Sequence, residues 1–126
     1  MRIVGIDFGK KQVGVAYSEG VLASPYATFP TKRAAAELVK LCRAKKLEQI
    51  VVGLPEGPTR SATKEFIGEL AATTNVPVVW VDETLSSEVA RRELIAALAG
   101  RKQRKAREHA VAAAVILQTY LDGQNV

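Results

Sequence analysis

The 126 residues are one domain's worth of chain, and a content of 48% hydrophobic and 25% charged residues excludes a disordered, collagenous or low-complexity polymer. Eighteen Lys and Arg against thirteen Asp and Glu leave a formal charge of +5, which concentrates polyanions around the chain, nucleic acid first among them. The longest apolar run, Ala110 to Leu117, is far short of the roughly 20 residues of a bilayer span. Asp7 interrupts the first apolar run too early for a signal peptide, so a cytoplasmic location without membrane contact is expected. Cys42 is the single cysteine, which excludes an internal disulfide and a cysteine zinc site.

Arg2 to Ile6 alternates as a strand, and the turn-like Asp7-Phe8-Gly9-Lys10-Lys11 joins it to Val13–Ser18 as a hairpin. A third extended segment, Val21–Phe29, carries Pro25, the mark of an edge or bulged strand. Thr31 is placed to cap a first helix running to about Lys46, with Ala34, Leu38, Leu41 and Cys42 at helical spacing. Gln49 to Pro55 is a continuous apolar run, the pattern of a strand buried on both faces. Ser61 opens a second helix whose inward face is Phe66, Ile67 and Leu70 and which Asn75 closes. Pro77 to Val81 is a further strand. A helix from Ser86 or Ser87 turns Ala90, Leu94 and Ala97 or Leu98 inward and ends at Gly100. The last helix spans about Lys105 to Leu121 and lies against the sheet.

This order predicts a single α/β domain over residues 1–126, with a five-stranded mixed sheet flanked by helices. Its first three strands are antiparallel and the later ones parallel. Trp80, Phe66 and Tyr120 lie in apolar patterns and are expected in the core, while Tyr17 and Tyr26 receive no assignment.

In open sheets of this kind, sites form beyond the carboxyl ends of the parallel strands. Asp7 ends the first strand, Glu56 follows the fourth, and Asp82 and Glu83 end the fifth. One acid at a strand end is usually a turn former, but Asp7 and Glu83 at one rim would repel each other unless a cation offset them. Magnesium or manganese suits carboxylate and phosphate oxygens alike, and two such ions can activate water and stabilise the leaving oxygen of a phosphodiester. That chemistry predicts a nuclease. Gly5, Gly9 and Gly14 around Asp7 allow a tight turn and close approach of a phosphate backbone, or simply serve the hairpin. Arg101, Lys102, Arg104, Lys105 and Arg107 form a basic patch that either contacts phosphates or is a solvated loop between helices. Lys10 and Lys11 would border the same rim.

Four blocks together carry a family resemblance. Gly5-Ile-Asp7-Phe-Gly9-Lys-Lys-Gln-Val-Gly14-Val-Ala16, Val51-Val-Gly53-Leu-Pro55, Val81-Asp82-Glu83-Thr-Leu85-Ser-Ser, and Ala112-Ala113 with Ile116-Leu117-Gln118-Thr-Tyr120-Leu121 resemble the YqgF/RuvX family over nearly the full chain. The resemblance implies an RNase H-like fold and a bacterial nuclease for 5′-end processing of pre-16S rRNA in ribosome biogenesis. An older description of that family is a Holliday junction resolvase, a DNA endonuclease similar to RuvC. The family's first acid falls on Asp7, and its Asp-Glu-Arg block falls on Asp82, Glu83 and Thr84, so the arginine is lost. Its acid near the start of the last helix falls on His109, directly after Glu108. Residues 109, 113, 116 and 120 share a helical face, which would carry His109 to the rim of Asp7.

Asp7, Glu83 and His109 are thereby the expected catalytic and metal-binding residues, with Asp82 as a further ligand. An imidazole suits Mn2+ better than Mg2+. Whether Glu108 acts in place of His109, and whether Glu56 takes part, stay open. The expected partner is RNA or DNA, and the protein a monomer or, for symmetric junction cleavage, a homodimer. The contrasting reading is a nucleic-acid-binding module whose site holds metal too weakly to cut.

Overall fold

The computed structural model describes residues 1–82 and 101–124, residues 101–107 by their backbone. Glu83, Thr84 and the helix expected between Ser86 and Gly100 lie outside the described residues. The elements are β1 (Ile3–Asp7), β2 (Gln12–Ser18), β3 (Ala23–Pro30), α1 (Thr31–Lys45), β4 (Gln49–Leu54), α2 (Arg60–Thr73), β5 (Val78–Asp82) and α3 (Arg101–Gln124). The sheet order is β3-β2-β1-β4-β5. β1 pairs antiparallel with β2 and β2 with β3, whereas β4 runs parallel to both β1 and β5. This is the mixed five-stranded sheet expected from the sequence.

Strand alternation divides the core in two. Val4, Ile6, Val13, Val15, Ile50 and Val52 pack under Ala34, Leu38, Leu41 and Cys42 of α1 and Phe66 and Leu70 of α2. Ile3, Ala16 and Val51 point the other way, onto Ala113, Ala114, Ile116, Leu117 and Leu121 of α3. β1 is therefore buried along its whole length. Cys42 lies in the first cluster, where burial pushes its thiol pKa up and away from reactivity.

Two glycines govern how α3 lies on the sheet. A methyl group at Gly5 would stand 2.6 Å from Leu117 Cβ and 2.9 Å from the Ala113 carbonyl oxygen. One at Gly14 would overlap the His109 carbonyl outright and stand 2.6 Å from Ala110 N. Both glycines lie inside strands, where they admit the helix rather than make a turn. Gly9 does serve the turn, since a Cβ there would stand 2.5 Å from the Gln12 carbonyl oxygen.

Several boundaries and environments differ from the sequence expectation, each for a visible reason. Thr31 does not cap α1, because Pro30 occupies that position and the Thr31 hydroxyl donates to the Gly9 carbonyl at 2.7 Å. α2 starts at Arg60 after Thr59 rather than on Ser61, with Thr63 Oγ1 donating to the Thr59 carbonyl at 2.9 Å. β3 begins at Ala23 instead of Val21, because Gln118 of α3 takes over the preceding backbone. Its Oε1 accepts from Ala23 N at 2.9 Å, and its Nε2 donates to the Val21 carbonyl at 3.1 Å. β3 is an edge strand with a register shift opposite Val15 and Ala16, as Pro25 suggests. The basic run from Arg101 is already helical in its backbone and belongs to α3. Lys and Arg are good helix formers, and that propensity holds despite the repulsion among five cations. Trp80 is 54% exposed rather than in the core, because β5 ends the strand order.

Two glycine substitutions should move stability in opposite directions. Gly14→Ala is expected to cost about 3 kcal/mol or more, because the new methyl overlaps the α3 backbone, which cannot rotate aside. Gly68→Ala, inside α2 with open space around it, should stabilise by about 0.5–1 kcal/mol. Urea midpoints at unchanged m value measure both.

Candidate active site

Asp7 is the last residue of β1, and its cross-strand partner on β2 is Gly14. Because Gly14 has no side chain, the His109 carbonyl of α3 settles directly over it, and the imidazole reaches the neighbouring strand. His109 Nδ1 lies 3.0 Å from Asp7 Oδ2. The two residues are 102 positions apart in the chain. The Asp7 side chain is 7% exposed and the His109 side chain 40%, so a buried carboxylate faces a ring that also reaches solvent. Burial of a carboxylate is costly unless it is hydrogen-bonded, and His109 supplies one such bond. An ionised carboxylate only accepts, so Nδ1 carries the proton and donates it to Asp7.

The turn after Asp7 is fixed to α1 on its other side. Thr31 N donates to the Lys11 carbonyl at 2.9 Å, alongside the Thr31 hydroxyl bond to Gly9. Phe8 turns inward against Phe66, with ring centroids 5.0 Å apart. Lys10 and Lys11 are left exposed in this turn, directly beyond the carboxylate. A Cβ on Gly9 would come within 3.2 Å of His109 Cε1, so the turn also borders the ring.

Of the residues singled out from the sequence, the structure brings Asp7 and His109 together. Glu108 is exposed, and His109 is the residue of this pair in contact with Asp7. Asp82 sits opposite Leu54 at the end of β5, with the strand parity of Val78 and Trp80, whereas Asp7 shares the parity of Ile3 and Gly5. Alternation thus directs the two aspartates to opposite faces, with β4 between them. Among the described residues, no three His, Cys, Asp or Glu side chains come close enough to share an ion. Glu56 follows β4 and is exposed. Arg101, Lys102, Arg104, Lys105 and Arg107 occupy the two turns of α3 before His109.

Gly14 and Thr31 are the supporting residues that the sequence did not disclose in these roles. A signal for Gly14 was present: a glycine inside a strand, between Val13 and Val15, marks a place where another backbone approaches closely.

The family model described as "RuvX: Holliday junction resolvase" matches residues 1–123. The chain belongs to the RuvX family. Its relatives include a protein from Syntrophomonas wolfei named "Putative pre-16S rRNA nuclease", 39% identical over 134 residues and spanning 98% of this chain and 95% of that one. The Bacillus subtilis relative of the same name is 38% identical over 138 residues, spanning 99% of this chain and 100% of its own. Among solved structures, the fold resembles Thermus thermophilus RuvC in complex with a Holliday junction substrate, with a TM-score of 0.71 at 14% identity over 99% of this chain and 96% of that one. It also resembles the fowlpox virus Holliday junction resolvase, with a TM-score of 0.63 at 13% identity over 98% and 99%. At such identities the likeness is one of fold, and the RuvX-family chain has the RNase H-like fold. No helix among its described residues is long and apolar enough to cross a membrane.

His109 is the single histidine of the chain, so one imidazole appears in a nitrogen-15 spectrum. In metal-free protein at neutral pH, that spectrum should show the proton on Nδ1, and Asp7→Ala should release the ring to a mixture of tautomers. A proton on Nε2 in the wild type would contradict the hydrogen bond to Asp7.

Proposed function

We propose that this RuvX-family protein is a divalent-metal-dependent nuclease that hydrolyses phosphodiester bonds in the 5′-end processing of pre-16S rRNA. The observation that carries the reading is the pairing of Asp7 with His109, two residues from opposite ends of the chain held at 3.0 Å at the carboxyl end of β1. The names of relatives at 38–39% identity over almost the whole chain support the substrate.

The donor chemistry fits a hard to borderline cation: a carboxylate with one oxygen engaged by Nδ1–H, and an imidazole whose second nitrogen is Nε2. A histidine that donates one ring N–H to a carboxylate is the usual arrangement of a metal-bound histidine, and it fixes the ring and its tautomer. With Nδ1–H engaged by Asp7, His109 would offer Nε2 to the ion together with Glu83, Asp7 would hold the ring from behind, and Asp82 would add negative charge beside Glu83. Manganese is favoured over magnesium by the imidazole. When bound, such an ion supplies positive charge to the attacking water and to the phosphate oxygens. The protein's own contribution is placement. Asp7 keeps the imidazole from rotating, and burial of its carboxylate keeps that constraint in a region of reduced solvent screening. Lys10, Lys11 and the cations Arg101, Lys102, Arg104, Lys105 and Arg107 neutralise phosphates on either side of the cut without reading sequence.

The test is cleavage of a 16S rRNA precursor with a 5′ extension, beside single-stranded DNA and a four-way junction, in Mn2+ or Mg2+. Metal-dependent cleavage of the RNA is expected, with Asp7→Asn losing roughly 10- to 100-fold of the activity. A chelator should abolish cleavage and added Mn2+ restore it. Equal cleavage by wild type and Asp7→Asn would defeat the assignment. Preferential, symmetric cutting of the junction by a dimer would move the protein to the resolvase reading, and RNA binding without turnover would leave a binding module.

A further inference from the structure

At the end of the sheet away from Asp7, three cations line one cavity, and no acid is among its lining residues. Arg2 precedes β1, and its carbonyl accepts from Glu48 N at 2.8 Å, which ties it to the connection between α1 and β4. That connection begins with Lys46, which closes α1 in the left-handed conformation at φ 52°, a position that glycine usually takes. Lys45 stands just before it. Arg2, Lys45 and Lys46, with Tyr17 and Ala44, line an open surface cavity of about 360 Å³. No ion pair engages any of the three cations among the described residues. Lys45 is held instead by aromatic faces, its Nζ being 4.8 Å from the centre of the Tyr17 ring and 5.2 Å from that of Tyr26. The two rings lie 6.3 Å apart at 50°, and Tyr26 is 46% exposed.

We infer that this cavity is a second nucleic-acid contact, one that takes a phosphate of a strand on Arg2, Lys45 and Lys46 and offers the exposed part of Tyr26 to a base. Cations brought together without carboxylates repel one another, and a phosphate relieves that repulsion while releasing counterions from the strand. Holding the Lys45 ammonium on two rings fixes it before the ligand arrives, so less freedom is lost on binding. The cavity is open rather than enclosed, which suits a unit of a continuing chain. Aromatic faces beside basic residues are the usual means of binding single strands.

The inference rests on the reading of the protein as one that acts on nucleic acid, and it adds a place. Asp7 and Arg2 lie at opposite ends of β1, about 17 Å apart at the rise of an extended chain. Tyr17 packs on the α1 side of the sheet, while Asp7 faces α3. A strand touching both sites must therefore exceed about five nucleotides even when stacked at 3.4 Å each.

The experiment measures binding of a 20-nucleotide single-stranded RNA by fluorescence anisotropy across a salt series, without divalent metal. Wild type is compared with Arg2→Gln/Lys46→Gln, two exposed positions whose change leaves the core intact, and with Tyr26→Leu. The double variant should bind several-fold more weakly at 0.1 M salt, and its slope of log K against log salt should fall by up to about 0.7, the value for one phosphate no longer neutralised. Tyr26→Leu should weaken binding without changing the slope. A tetranucleotide, too short to reach both sites, should lose far less affinity than the 20-mer. Adenosine monophosphate distinguishes a free nucleotide from a strand. If it shifts the Tyr17 and Tyr26 resonances while the double variant keeps wild-type affinity and slope for the 20-mer, the strand contact is overturned. Unchanged slope and affinity in the double variant, beside a wild type that binds and cuts RNA, would overturn this inference alone. A wild type that neither binds the 20-mer nor cuts would overturn it together with the nuclease reading.

Discussion

The whole arrangement depends on how closely α3 can approach β1 and β2. A helix on a sheet is normally held off by the side chains that fill the space between them. Here Gly5 and Gly14 remove the side chains on the sheet side, and alanines at 110, 112, 113 and 114 keep the helix side thin. The helix backbone therefore drops onto the hairpin, and every residue from Ala110 to Leu117 is buried. The position of His109 follows from this contact. Its carbonyl seats on Gly14, the strand partner of Asp7, and the ring has a single lateral step to the carboxylate.

The sheet supplies the other half of the constraint. β1 lies between β2 and β4, and its residues alternate between two hydrophobic clusters, which leaves no slack in its register. A slip of one residue would turn Asp7 toward α1 and α2 and bring Ile6 to the rim. Gln118 and Tyr120 pin the far end of α3. Gln118 bonds the start of β3, and the Tyr120 hydroxyl accepts from Gln49 Nε2 at 3.0 Å. The helix is thus fixed in rotation as well as in depth, and rotation decides whether residue 108 or 109 meets the acid.

Much of this was legible in the sequence because it rests on local rules. The turn after Asp7, the edge character that Pro25 gives β3, the apolar run of β4 and the 3.6-residue spacing of α1 each state their own structure. The inward position of His109 was legible too, from its spacing to Ala113, Ile116 and Tyr120. What escaped depends on contacts between distant segments. Pro77-Val-Val-Trp-Val81 reads as a buried strand, but only the strand order places it last in the sheet and leaves Trp80 exposed. Gly14 reads as a hairpin or phosphate-approach glycine until a helix a hundred residues later is laid over it. Thr31 is a good cap by composition, yet its hydroxyl serves the Asp7 turn because Pro30 already holds the capping position.

Assembling the centre from residues 7 and 109 also orders events in time. A chain made from its amino end yields the strand bearing the acid 102 residues before the histidine that meets it. Until α3 docks, the groove above Gly5 and Gly14 is bare backbone, and the carboxylate lacks the ring that orients there. The pair of Asp7 and His109 is accordingly complete only once the carboxyl-terminal third of the chain has been made.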